Sequence, residues 1–205
     1  MSERKEEILY KVYNNLYINL TNKCPCACTF CERQFHDRVG ESDSLWLDHE
    51  PTFDEVKEAF DKVNVDDFDE IVFCGFGEPT EAFTVLKETA AFIKENYKKS
   101  VRINTNGLGN LVNGRNIAPE LEGLIDTVSI SLNTPNEDEY LKVVRPKFGR
   151  ESFKALLDFA SEAKKYVNQV IMTTVSTTIS KADEEKCADI CKALGVTYRI
   201  RPYED

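Results

Sequence analysis

A chain of 205 residues with 41% hydrophobic content has room for one domain with a sizeable core, expected here over residues 1–205, and is too apolar for intrinsic disorder. A formal net charge of -10 disfavours non-specific nucleic-acid binding, which needs a surplus of Lys and Arg facing phosphates, although a local basic patch stays open. Met1 to Tyr10 is rich in Glu, Lys and Arg with no apolar stretch, and nothing later approaches the ~18 apolar residues of a membrane span, so a soluble, cytoplasmic protein without membrane contact is expected.

Short β-rich runs alternate with helical patterns along the chain, the mark of repeated βα units and a parallel sheet. The predicted strands are Leu16 to Leu20, Asp69 to Phe73, Val101 to Asn104, Thr127 to Ser131, Val170 to Val175 and Thr197 to Ile200, and their continuous apolar character fits strands covered on both faces. After the first strand comes a cysteine-rich segment, then Glu32 to Glu50, a connection without periodicity, of the length that belongs to functional or mobile loops. Thr52 with Glu55 forms a capping-box pattern, and Val56, Phe60 and Val63 recur at helical spacing behind it. Further helices are predicted over Thr80 to Tyr97, Glu151 to Tyr166, with Phe153, Leu156, Leu157 and Ala160 in one stripe, and Ala182 to Leu194. Six such units with right-handed crossovers give an α/β fold, a partial (β/α)6 open TIM-type barrel with parallel strands, its active site at the carboxyl ends of the strands.

Seven cysteines, with Cys24, Cys26, Cys28 and Cys31 packed into eight positions, do not read as a secreted disulfide framework, and reduced clustered thiols point to metal. Cys24, Cys28 and Cys31 have the spacing C-x3-C-x2-C on one short loop. Three thiolates on an iron-sulfur cube leave one iron open to a small molecule, whereas four saturate it and suit electron transfer. The rival reading recruits Cys26 into a four-thiolate zinc or closed iron-sulfur site, making a non-catalytic electron-transfer or partner-binding protein. Structural zinc ordinarily uses two ligand pairs split by a long loop, which this knot lacks. Cys187 and Cys191 share an i, i+3, i+4, i+7 stripe with Ile190 and Leu194, a core pattern, and Cys74 stands alone in the sequence, so a single cluster is expected.

Other segments at the strand ends carry polar or small residues. Phe73-Cys74-Gly75-Phe76-Gly77-Glu78-Pro79-Thr80 closes the second strand; it reads equally as an ordinary βα turn and as a strand edge stripped of bulk so that backbone carbonyls can approach a ligand ammonium. The third strand ends in Asn104-Thr105-Asn106-Gly107, whose last two residues alone are a routine turn. In Ser129-Ile-Ser131-Leu-Asn133 the alternate polar residues share one face and need partners there. Arg145, Lys147, Arg150, Arg199 and Arg201 are cations that could gather at the barrel mouth and suit a phosphate or carboxylate, with Lys147 and Arg150 reading as solvated charges. His36, Trp46 and His49 lie on the long connection, as a cover for the site or as ordinary loop residues.

The Cys24, Cys28, Cys31 pattern after a first strand, with Phe30 before the last cysteine, resembles the radical S-adenosylmethionine signature. Across nearly its full length the chain is similar to the TatD family-associated radical S-adenosylmethionine proteins. The likeness rests on Asn19-Leu-Thr-Asn, the cysteine knot, Phe73 to Thr80, Arg102 to Gly107, Ser129 to Asn133, Arg145-Pro-Lys-Phe-Gly149 and Arg199-Ile-Arg-Pro-Tyr203. The resemblance implies that the three cysteines hold a [4Fe-4S] cluster whose open iron chelates the methionine end of S-adenosylmethionine, with Cys26 a bystander. One electron from an external donor then cleaves that cofactor, giving a 5'-deoxyadenosyl radical that abstracts hydrogen from a substrate. It also implies cofactor contacts from Phe30, from Gly75, Gly77, Glu78 and Pro79, where Phe76 replaces a glycine of the family motif, and from Asn104, Ser131, Asn133 and Arg145. Val175 and Tyr198 to Tyr203 fall where the family holds adenine. The open barrel leaves room for a large substrate, a protein or another macromolecule, and the implied type is an oxidoreductase, transferase or activase.

Overall fold

The computed structural model describes residues 7–202, so Met1–Glu6 and the Tyr203 end of the last motif lie outside the described residues. The chain forms two compact units, one containing the chain up to Cys24 together with Cys31–Ile103, the other Pro25–Phe30 together with the chain from Asn104 onward.

In the first unit, strand β1 (Leu9–Val12) pairs antiparallel with β2 (Asn15–Ile18), Leu9 opposite Ile18 and Val12 opposite Asn15, through a turn in which Tyr13 takes a left-handed φ of 52°. Strands β3 (Glu70–Phe73) and β4 (Ser100–Thr105) continue in parallel. The register aligns Leu16, Ile71 and Val101 in one row and Ile18, Phe73 and Ile103 in another, so period two puts six buried apolar side chains on one face. Together with Phe60, Leu86 and Ile93 they make the core of this unit. The intervening row, Tyr17, Val72 and Arg102, occupies the other face, where Arg102 Nε donates to Glu70 Oε2 at 2.8 Å. Helix α1 (Phe53–Phe60) starts at the expected capping box: Glu55 N donates to Thr52 Oγ1 at 3.3 Å and Thr52 N to Glu55 Oε2 at 2.8 Å. It ends before Val63, and the helix expected from Thr80 is a one-turn helix, Pro79–Ala82, leading into α2 (Phe83–Asn96).

In the second unit, β5 (Thr127–Ser131), β6 (Gln169–Val175) and β7 (Thr197–Arg201) run parallel, with Ser131, Thr173 and Arg199 aligned in one row. Its helices are α3 (Gly109–Asn113), α4 (Glu137–Val144), α5 (Glu151–Ala163) and α6 (Lys181–Leu194). Asn136 caps α4 by accepting from Glu139 N at 3.0 Å, Ser180 caps α6 by accepting from Asp183 N at 3.2 Å, and Gly195 closes α6 at a φ of 68°.

Strand order follows chain order within each unit, β1-β2-β3-β4 in the first and β5-β6-β7 in the second, so the α/β class with an open, mostly parallel sheet is as expected. The count is seven strands among the described residues, six parallel and one antiparallel, because Leu9–Val12 folds back on β2 as a hairpin. No helix among the described residues is long and apolar enough to cross a membrane.

Candidate functional site

The first unit holds both ends of the cysteine loop. From β2 the chain runs along Asn19 to Lys23 directly over the turn after β3. A Cβ on Gly77 would stand 2.1 Å from the Thr21 carbonyl oxygen and 2.7 Å from that of Lys23, so only glycine lets these backbones meet. A Cβ on Gly75 would fall 2.1 Å from Asn19 Oδ1, the oxygen of a fully buried amide that accepts no hydrogen bond among the described residues. Cys74 N donates to Ile18 O at 3.0 Å and Glu78 N to Lys23 O at 2.8 Å, fixing the approach to Cys24. From the Cys31 side, Arg33 Nη1 donates to Asn22 O at 3.2 Å and Phe76 O at 3.3 Å. The two glycines thus let the segment before Cys24 pass, and Cys74 N, Phe76 O and Glu78 N of the motif hold the cysteine loop. The Glu78 carboxylate, 3% exposed, accepts from Thr80 N at 3.1 Å and Thr80 Oγ1 at 2.8 Å, capping the one-turn helix that Pro79 opens.

The long connection is largely built into this unit. Its Asn19 Nδ2 to Leu45 O contact of 2.8 Å and Asn22 Nδ2 to Leu47 O contact of 2.7 Å tie it to the segment before Cys24. Trp46 packs edge-on to Phe76 at 5.2 Å, beside Tyr10 and Leu45. Phe76, the residue that departs from the family motif, therefore fills an aromatic cluster. The two histidines stay exposed: His36 lies 3.8 Å from Glu32, and His49 Nε2 stands 2.8 Å from Glu55 Oε1, which draws it into the α1 cap. Backbone and side-chain hydrogen bonds from Thr52, then His49, pull the Glu55 carboxyl down to about 2. Burial raises the Glu50 carboxyl, but hydrogen bonds from Lys23 and Thr21 outweigh it and hold the group below its usual range.

The middle of the cysteine loop belongs to the second unit. Cys26 is 5% exposed and bridges to Pro146, and Asn106 Nδ2 donates to its Sγ at 3.6 Å. Ala27 N donates to Val144 O at 3.1 Å, Thr29 N to Val143 O at 2.8 Å, and Lys147 N to Pro25 O at 2.8 Å. This pairing needs α4 to stop and turn, and Arg145 does so in a left-handed conformation of φ 48°, a cost of about 1–2 kcal/mol for a residue with a Cβ. The Arg145 side chain is exposed, and Arg145 and Lys147 meet the cysteine loop through their backbone. The thiols sort by burial: Cys26 is packed away, while Cys24, Cys28 and Cys31 are half-buried, as is Phe30. Cys24 and Cys31 fall in the first unit and Cys28 in the second, and among the described residues no three His, Cys, Asp or Glu side chains already stand together as a metal site. The donor set suits an iron-sulfur cluster nonetheless: three accessible soft thiols at cluster spacing, with the fourth withdrawn.

Half-buried Asn104 opens the β4 turn, where Gly107 N donates to Thr105 Oγ1 at 3.1 Å and Leu108 N to Asn106 Oδ1 at 2.9 Å. Gly107 sits at φ 80°, and a Cβ there would be 2.9 Å from Ile130 Cγ2 and 3.0 Å from Leu156 Cβ. Ser131 ends β5 half-buried; Asn133 beyond it is buried at φ 64°, its Nδ2 donating to Ser131 O at 3.3 Å and its N to Thr173 O at 3.2 Å. Tyr198 shares a row with fully buried Met172, and its hydroxyl meets Thr174 Oγ1 at 2.7 Å, on the face opposite Thr173. Burial pushes the Cys187 thiol up to about 12, helped by Cys191, and the Cys191 thiol up to about 11, so both are inert core residues.

No curated protein matches this chain. The family model described as the radical SAM superfamily matches residues 18–194. A radical SAM methyltransferase from Sphaerobacter thermophilus aligns with a TM-score of 0.65 at 15% identity, over 96% of this chain and 69% of that one. Streptococcus suis SuiB bound to its precursor peptide SuiA aligns at 0.63 and 17% identity, over 93% of this chain and 39% of that one. The anSMEcpe structure with bound AdoMet aligns at 0.62 and 19% identity, over 92% of this chain and 51% of that one. The chain therefore spans about half or less of two of these proteins, and at such identities the likeness shows a shared α/β partial barrel. Members of the matched family bind a [4Fe-4S] cluster and S-adenosylmethionine, the two cofactors that the resemblance of the cysteine motif implies. With the family model running from the last residue of β2 to the last residue of α6, the chain belongs to the radical SAM superfamily of enzymes.

Proposed function

We propose that Cys24, Cys28 and Cys31 hold the cluster and that the chain is a radical enzyme acting on a protein or another macromolecule, with an external electron donor. The observation that carries the ligand assignment is the burial of Cys26 against Pro146 and Asn106 while the other three thiols of the loop stay half-exposed. When bound, the cluster and S-adenosylmethionine supply the 5'-deoxyadenosyl radical, and the protein's part is to position them. In this reading Gly75, Gly77, Glu78 and Pro79 offer backbone to the methionine end, Phe30 packs beside the cofactor, Asn104, Ser131 and Asn133 provide amide and hydroxyl groups, and Arg145 provides a cation for a carboxylate. We assign the reaction to the oxidoreductase or activase type in the cytoplasm, residues 1–205 to a single core domain, and the chain to the TatD family-associated proteins within the superfamily, on the motifs from Asn19 to Tyr203.

The test is anaerobic reconstitution with iron and sulfide, reduction, addition of S-adenosylmethionine and chromatography for 5'-deoxyadenosine. Its formation by the native chain and loss in Cys28→Ala is the expected result. A fully loaded, reducible cluster that neither binds nor cleaves S-adenosylmethionine would overturn the reading.

A further inference from the structure

The core face of the first unit's sheet is apolar, but the opposite face carries two phenols, a thiol and an ion pair. Tyr10 stands across from Tyr17 in the β1–β2 register, Tyr17 shares its row with Val72 and Arg102, and Cys74 falls on the same face as Val72 by alternation past Phe73. The rings of Tyr10 and Tyr17 lie 5.3 Å apart. The Tyr10 hydroxyl donates to the Cys74 carbonyl oxygen at 3.1 Å and is also hydrogen-bonded to the Cys74 side chain. Arg102 is hydrogen-bonded to the Tyr17 hydroxyl and pairs with Glu70 at 2.8 Å.

A carbonyl alone satisfies a buried hydroxyl, so packing does not account for the second link, from Tyr10 to the thiol. The two groups also differ in access. Tyr10 is 4% exposed, sealed by Leu45 and Phe76 with Tyr17 and Trp46 packed alongside, whereas Cys74 is half-buried. Burial, and then the neighbouring Cys74, push the Tyr10 hydroxyl well above its ordinary range, so the phenol keeps its proton. Oxidation of such a phenol removes electron and proton together, as a hydrogen atom. Thiols and phenols hold their hydrogens more weakly than other side chains do, and a carbon radical takes one from a thiol readily. Cys74 also directly precedes Gly75, the first residue of the motif assigned above to the methionine end of the cofactor.

We propose that Cys74 and Tyr10 form a hydrogen-atom relay, in which Cys74 quenches a carbon-centred substrate radical and Tyr10 restores the thiol. A C–H bond forms on the substrate as the Cys74 S–H bond breaks, leaving a thiyl radical. The thiyl takes the hydrogen of the Tyr10 hydroxyl, so S–H re-forms, O–H breaks, and a phenoxyl radical remains within the aromatic cluster, shielded from water. One electron from the external donor and one proton from water regenerate the phenol. The product therefore carries, at the carbon that bore the radical, a hydrogen that comes from water by way of an exchangeable thiol. The role in turnover rests on the radical-enzyme reading above; the exchange between Tyr10 and Cys74 does not.

Two experiments separate them. In the full chain without cluster, tyrosines are oxidised by azide radicals in the presence of a nitrone trap, and the adducts are mapped by peptide mass spectrometry. An adduct on Cys74 is expected in the native chain and its loss in Tyr10→Phe, which keeps the ring. The loaded enzyme then cleaves S-adenosylmethionine in deuterium oxide without substrate. The 5'-deoxyadenosine is expected to carry a single deuterium taken from Cys74, and to lose that label in Cys74→Ser, whose hydroxyl holds its hydrogen too firmly to give it up. Equal trapping at Cys74 in Tyr10→Phe, or equal labelling by Cys74→Ser, overturns the proposal. No 5'-deoxyadenosine from a fully loaded chain, with trapping at Cys74 dependent on Tyr10, would sink the enzymatic reading and leave the Tyr10 to Cys74 exchange standing.

Discussion

Asn106 Nδ2 reaches the Cys26 sulfur at 3.6 Å, across 80 positions of sequence, so the cysteine of the loop outside the C-x3-C-x2-C spacing is buried and engaged by the turn after β4. That relationship separates a packing thiol from the three proposed ligands. Cys26→Ala is expected to leave iron content, the visible spectrum and 5'-deoxyadenosine formation near native values, at a stability cost of about 1 kcal/mol for a small buried group. Cys24→Ala, Cys28→Ala and Cys31→Ala should each abolish product. Equal loss of iron in Cys26→Ala and Cys24→Ala would return the site to a four-thiolate reading.

Gly77→Ala places a methyl 2.1 Å from a backbone oxygen, which has no rotamer by which to yield. The segment before Cys24 has to move, at a cost of more than ~2 kcal/mol. Urea unfolding should show the loss of stability and iron analysis a loss of loading. Gly149→Ala, where a Cβ meets nothing within 4 Å, isolates the cost of its φ of 60° and should leave loading intact.

Removing the α1 cap by Thr52→Ala should cost about 1 kcal/mol without changing product formation. The Glu55 carboxyl is lowered from 4.5 to about 2, so its contribution is present in full above pH 4.5 and is lost as pH falls from there toward 2. Urea midpoints at pH 7 and pH 3 should therefore differ more for the native chain than for Glu55→Gln; an equal difference would assign the acid sensitivity elsewhere.

Cys187 and Cys191, their thiols raised to about 12 and about 11, stay protonated at pH 8. A thiol reagent at that pH should modify them only after denaturant is added, read by peptide mass spectrometry. Rapid native-state labelling of either would show that α6 opens readily.

Strand positions were legible in the sequence because each of the six parallel strands carries Val, Ile, Leu, Phe or Tyr in a short run between helical patterns, and Thr127 to Ser131 matches the observed bounds at both ends, although β7 is mostly exposed and not covered on both faces. The hairpin strand Leu9–Val12 was not, since a four-residue run with Lys11 at its centre has almost no pattern and takes its conformation from pairing with β2. Helix α4 was hidden likewise: Glu137, Asp138 and Glu139 fill its first turn, and only Tyr140 and Val144 are buried. At the site, the spacing of three cysteines and the buried fate of Cys187 and Cys191 could be read directly. The duties of Arg145 and Glu78 could not, because a side-chain pattern does not disclose that the first serves through a left-handed backbone and the second through a cap.

The attachment of Ala27 and Thr29 to Val144 and Val143 also sets a timetable. A ribosome adding roughly 5–20 residues per second exposes the cysteine loop several seconds before the helix end that fastens it has been made. Through that interval the four thiols ride on a growing chain with half of their anchors unwritten. A ribosome that stalls before α4 leaves behind a fragment in which the backbone bonds from Ala27 and Thr29 cannot form.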